Sequence, residues 1–200
     1  NSWFHCVYWP AMLKSAGIDL PLKVFNHGFL TFNGQKISKS LGNVISSNTL
    51  VEKYGADAIR YFCLRHFPFG DDGDFSEDAL IERHNSELAD KLGNLVSRVS
   101  ALVEKYDLSE TDALDVSGTV KKVEDHLEKL EFDKALNVIF AFIDFCNEYI
   151  QGKKPWETKD NKVLYQLSNA IKDITILLSP FIPETCGKIS KVFNFKIEYN

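Results

Sequence analysis

The sequence predicts a mainly α protein, in which a remnant of α/β structure ending near residue 74 precedes an all-helical bundle. Two observations carry this. Leu80, His84, Leu88, Leu92, Leu95, Val99 and Leu102 recur at steps of three and four, the spacing that gathers side chains on one face of a helix. Upstream, residues 22–32 alternate loosely between Pro21 and the turn pair Asn33 and Gly34, the pattern of a strand running into a turn.

In chain order, residues 2 to about 16 read as a helix that Gly17 ends, with Pro10 inside it as a kink or boundary. The strand at 22–32 leads into a polar loop, 35–43, and then a short strand at Val44 and Ile45. Asn48 is placed to cap a helix through Tyr54 that Gly55 ends, and 57–65 fit a second short helix, on which Asp57 and Arg60 stand three apart and can pair. Residues 67–75 interrupt the pattern with Pro68, Gly70 and Gly73 among three aspartates. One long amphipathic helix follows from 76 to about 106, then a polar linker, 107–118. Further helices are predicted at about 119–130, 133–151 and 160–178, with a short one at about 183–192 behind Pro180 and Pro183. The stripes Phe140, Ile143, Ile150 and Leu167, Ile171, Ile174, Leu178 read as bundle core.

Composition narrows the class. The chain has 200 residues, a formal net charge of −5, 44% hydrophobic and 26% charged residues, ordinary values for a globular protein. It has no apolar run of membrane-spanning length and no secretory leader, which predicts a cytoplasmic protein with no membrane partner. Cys6, Cys63, Cys146 and Cys186 form no CxxC pair, so no metal site is predicted and each reads as a small buried hydrophobe in a reducing compartment. The acidic balance weighs against a nonspecific nucleic-acid binder but permits a reader with a local basic or aromatic surface. The start is Asn1 followed by the aromatic run Trp3, Phe4, His5, Tyr8 and Trp9, which looks like interior sequence and reads as a fragment or processed product.

The most informative stretch is 33–43. It holds Lys36 and Lys39 three apart, the hydroxyls of Ser38 and Ser40, and Gly34 and Gly42 on either side. Lysine is a compact charge on a flexible stem, suited to a polyphosphate whose charge shifts during reaction, and flanking glycines let backbone approach a ligand. On spacing alone a solvated turn with two surface lysines is the better reading, because two lysines three apart are common.

Lys36-Ile37-Ser38-Lys39-Ser40 resembles the KMSKS motif of class I aminoacyl-tRNA synthetases, with Ile37 in place of Met, an apolar exchange. The wider pattern resembles the methionyl-tRNA synthetase family. His5-Cys6-Val7-Tyr8-Trp9-Pro10-Ala11-Met12-Leu13 is similar to its FHxxxWPAML segment, and Tyr54-Gly55-Ala56-Asp57-Ala58-Ile59-Arg60-Tyr61 to its YGADxxRY segment. Asp72-Gly73-Asp74-Phe75-Ser76 is similar to its DGDFS, and Asn85 with Leu92-Gly93-Asn94-Leu95-Val96-Ser97-Arg98 to its N…LGNLxxR helix. The blocks are dense over 4–98; 99–200 match more loosely, at Lys154-Pro155-Trp156 and Pro180-Phe181-Ile182-Pro183.

The resemblance implies a Rossmann-type α/β nucleotide domain, of which 1–43 would be the C-terminal part, a connecting stem-contact region at 44–75 and a helical anticodon-binding domain at 76–200. It implies a ligase that activates methionine with ATP and Mg2+ and charges tRNA(Met). Lys39 and Lys36 would be the catalytic charges, and His27, Gly28, Lys36, Ser38, Lys39 and Ser40 would contact ATP, with His27 equally readable as a structural histidine. His5, Tyr8 and Trp9 would line the methionine pocket, or else be core aromatics. Asn94 and Arg98 share one helix face and would hydrogen-bond base edges. Trp156, behind Pro155 and flanked by Lys153 and Lys154, would stack on an anticodon base, or else plug the bundle under its loop. The family's HIGH segment and zinc-bearing insertion have no counterpart in 1–200, so the N-terminal half would be a required partner and the fragment inactive alone. Valyl, leucyl or isoleucyl enzymes, a non-catalytic tRNA-binding module or split half, and a plain helical interaction domain are the competing readings.

Overall fold

The computed structural model describes residues 2–37, 46–106 and 108–198. Ser38, Lys39, Ser40 and the strand expected at Val44 and Ile45 lie outside the described residues.

The bundle is built on α7 (Phe132–Lys153), which buries Ala135, Leu136, Ile139, Phe140, Ile143, Cys146 and Ile150 along one stripe at helical spacing. Against it pack α6 (Ser117–Glu128) and α9 (Asn161–Leu178), whose Leu167, Ile171, Ile174 and Leu178 are fully enclosed. Both stripes expected from the sequence are core. The last helix, α10 (Pro183–Val192), closes the end of α9. Between α7 and α9 the structure adds one short helix, α8 (Pro155–Thr158), where the sequence predicts only a loop. Lys154 and Lys159, both with positive φ, start and stop it.

The long helix is one continuous run, but not a uniform one. Ser76 caps it, its Oγ accepting the Ala79 N–H at 3.2 Å. It proceeds as α4 (Glu77–Arg83), ten residues of wide π-type turns (His84–Gly93), and α5 (Asn94–Val103). Such winding marks positions where packing overrides the regular ladder, and Glu87 lies inside it.

Glu87 is a buried carboxylate. Arg65 forks onto it, Nη2 to Oε1 at 2.8 Å and Nε to Oε2 at 3.1 Å. Arg83 donates to Oε1 at 3.1 Å, and the Tyr61 hydroxyl donates to Oε2. Tyr61 and Arg65 stand on α3 (Ala56–Arg65), so the cluster locks α3 to the long helix. A second anchor corrects the expectation that Asp57 and Arg60 pair. Asp57 instead accepts the Thr185 N–H at 2.6 Å and the Glu184 N–H at 3.4 Å, while Arg60 donates to the carbonyls of Pro180 at 2.7 Å and Phe181 at 3.1 Å. The free N–H groups at the start of α10 attract the carboxylate, and carbonyls left over after α9 attract the guanidinium.

Before α3, α2 (Ser47–Tyr54) starts from Ser46, not from Asn48, and ends at Gly55 with φ 83°. A small sheet has the order β2-β1-β3: β1 (Leu30–Phe32) is antiparallel to β2 (Gln35–Lys36) and parallel to β3 (Gly73–Phe75). Asn33 and Gly34, at φ 49° and 73°, make the tight hairpin turn that positive φ permits. The strand is shorter than the predicted 22–32 because residues 22–29 have no ladder partner among the described residues. Phe75 and Phe62 join Leu50 and Leu80 in a second, smaller core beneath the sheet.

The N-terminal segment departs furthest from expectation. Wide turns at Phe4–Tyr8 run into α1 (Trp9–Ser15), and Pro10, whose missing N–H removes one bond from the helical ladder, stands just past the boundary between the two windings. Gly17 ends it at φ 69°. The aromatics are not core: Trp3 is 73% exposed, Tyr8 59% and Trp9 38%. Cys6 is likewise exposed and Cys63 half-buried, whereas Cys146 and Cys186 are buried, and burial pushes both those thiols up to about 12.

Burial pushes the Glu87 carboxyl upward, but the hydrogen bonds from Arg65 and Tyr61 and the charges of Arg65 and Arg83 outweigh it and hold it below the usual range. A depressed carboxylate contributes stability that is present above its unfolded value, about 4.3, and lost as pH falls through the folded one. Urea unfolding of Glu87→Ala is expected to show a loss of about 3 kcal/mol at neutral pH. Glu87→Gln is expected to flatten the fall in stability below about pH 4.3.

Candidate functional site

Two regions gather the residues singled out from the sequence. The first lies beside the hairpin. His5, His27 and Gly28 line one cavity of about 500 Å³ with Ser2, Phe25 and Phe29. His27 is exposed; its Nδ1–H donates to the Gly28 carbonyl at 2.8 Å, and its ring lies 6.2 Å from that of Phe69. Gly28 is required by close approach: a Cβ there would stand 2.2 Å from the carbonyl carbon and oxygen of Asp71 and 2.5 Å from the Asp72 nitrogen. Phe69 stacks on Phe25 at 4.9 Å and meets Phe132, the first residue of α7, edge-on at 5.0 Å. Tyr8 and Trp9 do not line this cavity. Lys36 stands in β2, paired across the hairpin with Thr31; Ser38, Lys39 and Ser40 are outside the described residues.

The second region lies on the bundle. Arg98 and Trp156, distant in sequence, line one open cavity of about 420 Å³ with Ala101, Leu102, Lys105 and Gln151. The indole of Trp156 is half-buried and packs against the main core, so it is neither a free surface ring nor an interior plug. Pro155 is buried and sets the first turn of α8 that presents Trp156. Arg98 is exposed and has no ion-pair partner among the described residues. Asn94 is exposed one turn earlier, but its amide donates to the Asp90 carbonyl at 2.7 Å and it does not line the cavity. The walls are fixed to each other where Lys91 pairs with Asp144 at 2.7 Å and Asn147 donates to the Lys91 carbonyl at 3.2 Å. Lys153 lies 5.7 Å above the Tyr149 ring and Lys154 pairs with Glu157 at 3.5 Å.

This arrangement offers a guanidinium, an ammonium, an amide and a half-open aromatic face around one opening, groups that together suit an unstacked base and its phosphate. Among the described residues no cluster of three His, Cys, Asp or Glu side chains is placed to hold a metal ion. No described helix is long and apolar enough to cross a membrane.

The family described as tRNA synthetases class I (M) matches residues 1–100. The chain belongs to it. The family described as anticodon-binding domain of tRNA ligase matches residues 115–199. The methionine–tRNA ligase of Caldanaerobacter subterraneus subsp. tengcongensis is 44% identical over 93% of this chain and 32% of its own length. That of Clostridium tetani is 40% identical over 96% of this chain and 33% of its own. The methionyl-tRNA synthetase of Mycobacterium tuberculosis, solved in complex with methionyl-adenylate, superposes with a TM-score of 0.84 at 35% identity, covering 94% of this chain and 41% of that one. The chain thus spans about a third of the length of the curated relatives named. Membership in this synthetase family agrees with the mainly α fold, with part of a class I nucleotide domain ahead of a helical anticodon-binding domain.

Two polar cavity residues were missed in the sequence. Lys105 lies seven residues beyond Arg98, two turns along one face, so the spacing held that signal. Gln151 comes from α7 and carries no local signature; only packing brings it to the opening. Gly28→Ala is expected to lower stability by about 1–3 kcal/mol in urea unfolding, because the backbone at Asp71 cannot yield as a side-chain tip would.

Proposed function

We propose that the whole protein carrying this chain is a methionine–tRNA ligase, activating methionine with ATP and transferring it to tRNA(Met). In this reading Lys39, assisted by Lys36, neutralises the phosphates as pyrophosphate leaves, with Ser38 and Ser40 contacting ATP beside them, positioned charge being the main contribution a protein makes to such transfers. His27 and Gly28 contact the nucleotide, with Mg2+ as its counterion, and His5, Tyr8 and Trp9 contribute to the methionine side. Methionyl-adenylate in the Mycobacterium tuberculosis relative supports the same chemistry here.

The observation that carries the RNA half is the meeting of Arg98 and Trp156 at one opening. Arg98, with Asn94 one turn before it, reads base edges; Trp156, presented by Pro155, stacks on a base; Lys105 and Gln151 complete the rim. We assign 1–43 to the catalytic domain, 44–75 to the connecting region and 76–200 to anticodon recognition. The exposed aromatics of 3–12 are the face on which the rest of the catalytic half packs, and any zinc belongs to that half. The segment 1–200 by itself binds RNA but does not activate methionine, and the ligase works in the cytoplasm.

Two variants of the whole protein separate the sites. Lys39→Ala is expected to slow methionine-dependent ATP–pyrophosphate exchange by about 100-fold or more and leave tRNA affinity unchanged. Trp156→Ala is expected to weaken tRNA(Met) binding by about 5- to 100-fold, the loss of one base stack, with exchange nearly intact. Collapse of exchange in the second variant would show the two sites to be misassigned.

A further inference from the structure

Residues 72–74 reach the hairpin from about forty positions away in sequence. Asp74 Oδ1 accepts the Thr31 hydroxyl at 2.6 Å and the Gly34 N–H at 2.8 Å. One carboxylate oxygen therefore holds both a strand residue and the second residue of the hairpin turn. Asp72 Oδ1 accepts the Phe29 N–H at 2.6 Å, and Gly73 between them donates its N–H to the Phe29 carbonyl at 2.8 Å. Asp74 is exposed and makes no salt bridge among the described residues, His66 acting on it only through its charge, and both hydrogen bonds of this oxygen go to the hairpin. Those bonds, Thr31 first and Gly34 second, hold its carboxyl below the usual carboxylate range.

The hairpin needs such support. Its two strands share only the pairs Thr31 with Lys36 and Phe32 with Gln35. A two-stranded ribbon that short is marginal in water, and its turn depends on two consecutive residues at positive φ. The parallel partner β3 pairs with β1 and reaches the first turn residue, whose Asn33 N–H donates to the Phe75 carbonyl at 3.1 Å; the Asp74 carboxylate reaches one residue further, to Gly34, from which the strand of Lys36 leaves the turn.

We propose that Asp74 is a positioning residue for the lysine hairpin, clamping its turn so that the strand bearing Lys36 is presented at a fixed angle, with Asp72 seating the start of the same strand. The proposal rests on the ligase reading above. It assigns Asp74 no contact with substrate: its effect passes through Thr31 and Gly34.

The test is methionine-dependent ATP–pyrophosphate exchange by the whole protein. Asp74→Ala is expected to lower kcat by about 10- to 100-fold, as misplacement by an ångström does. KM for methionine and affinity for tRNA(Met) should stay within about twofold, because neither site includes the turn. Asp74→Asn, which keeps an acceptor oxygen, is expected to recover most of kcat. Thr31→Val, which removes one of the two bonds to Asp74 together with the longer 3.3 Å contact of the same hydroxyl to the Gly73 carbonyl, is expected to give an intermediate loss that does not add to that of Asp74→Ala. Unchanged kcat in Asp74→Ala would overturn the proposal. So would a parallel fall of kcat, methionine KM, tRNA affinity and melting temperature, which would make Asp74 a plain stabiliser of the sheet. The wild-type and Lys39→Ala proteins separate this from the ligase reading. No exchange in the wild type sinks that reading, whereas exchange that needs Lys39 but ignores Asp74 sinks the clamp alone.

Discussion

The joint on which the rest depends is the buried carboxylate of Glu87, held by Arg65, Arg83 and Tyr61. A carboxylate withdrawn from water costs several kcal/mol unless every lone pair is matched, and the forked guanidinium with the phenol supplies that match. The geometry is demanding, so it fixes how α3 lies across the long helix. Everything toward the sheet hangs from α3 and the loop after it. Arg98 stands about three turns further along the helix that carries Glu87. The cluster thus joins the element that leads to the sheet with the helix that carries Arg98, and Glu87 lies within the wide turns at His84–Gly93.

Local charge works against the sign of the whole. The chain is acidic, yet Arg98 and Lys105 stand together at the cavity that Trp156 lines. A small cationic opening on an acidic body favours one well-defined anionic partner over indiscriminate binding along any phosphate chain. Several cations elsewhere are committed: Lys91 to Asp144, Lys154 to Glu157, Arg60 to backbone carbonyls. Acidic side chains are used in the same way, Asp57 on the start of α10 and Asp74 on the hairpin turn.

The bundle was legible because helical periodicity reports burial directly. The stripes on α7 and α9 and the long run from Glu77 to Val103 lie where spacing puts them. Tertiary partners were not legible. Asp57 and Arg60 stand at pairing distance in sequence, but the ends of α9 and α10 offer better partners, and no local pattern announces a helix end arriving from more than 100 residues away. Glu87 reads as one more polar position on an amphipathic helix until Arg65 and Tyr61 fold onto it. The aromatic start misled because hydrophobicity predicts that a surface will be covered, not that it is covered within residues 2–198. Trp156 fell between its two readings, since one face can meet the core while the other borders a cavity.

The central claim is that helix packing assembles a base-reading opening from Arg98, Trp156, Lys105 and Gln151. The most direct measurement is calorimetric titration of the protein with an RNA stem-loop bearing the methionine anticodon, compared with the same stem-loop carrying a scrambled anticodon. Binding at least about tenfold tighter to the first is the predicted result, the discrimination of one or two read bases. Equal affinity for the two, with the same salt dependence, would mean that the opening senses phosphate alone and would contradict the account.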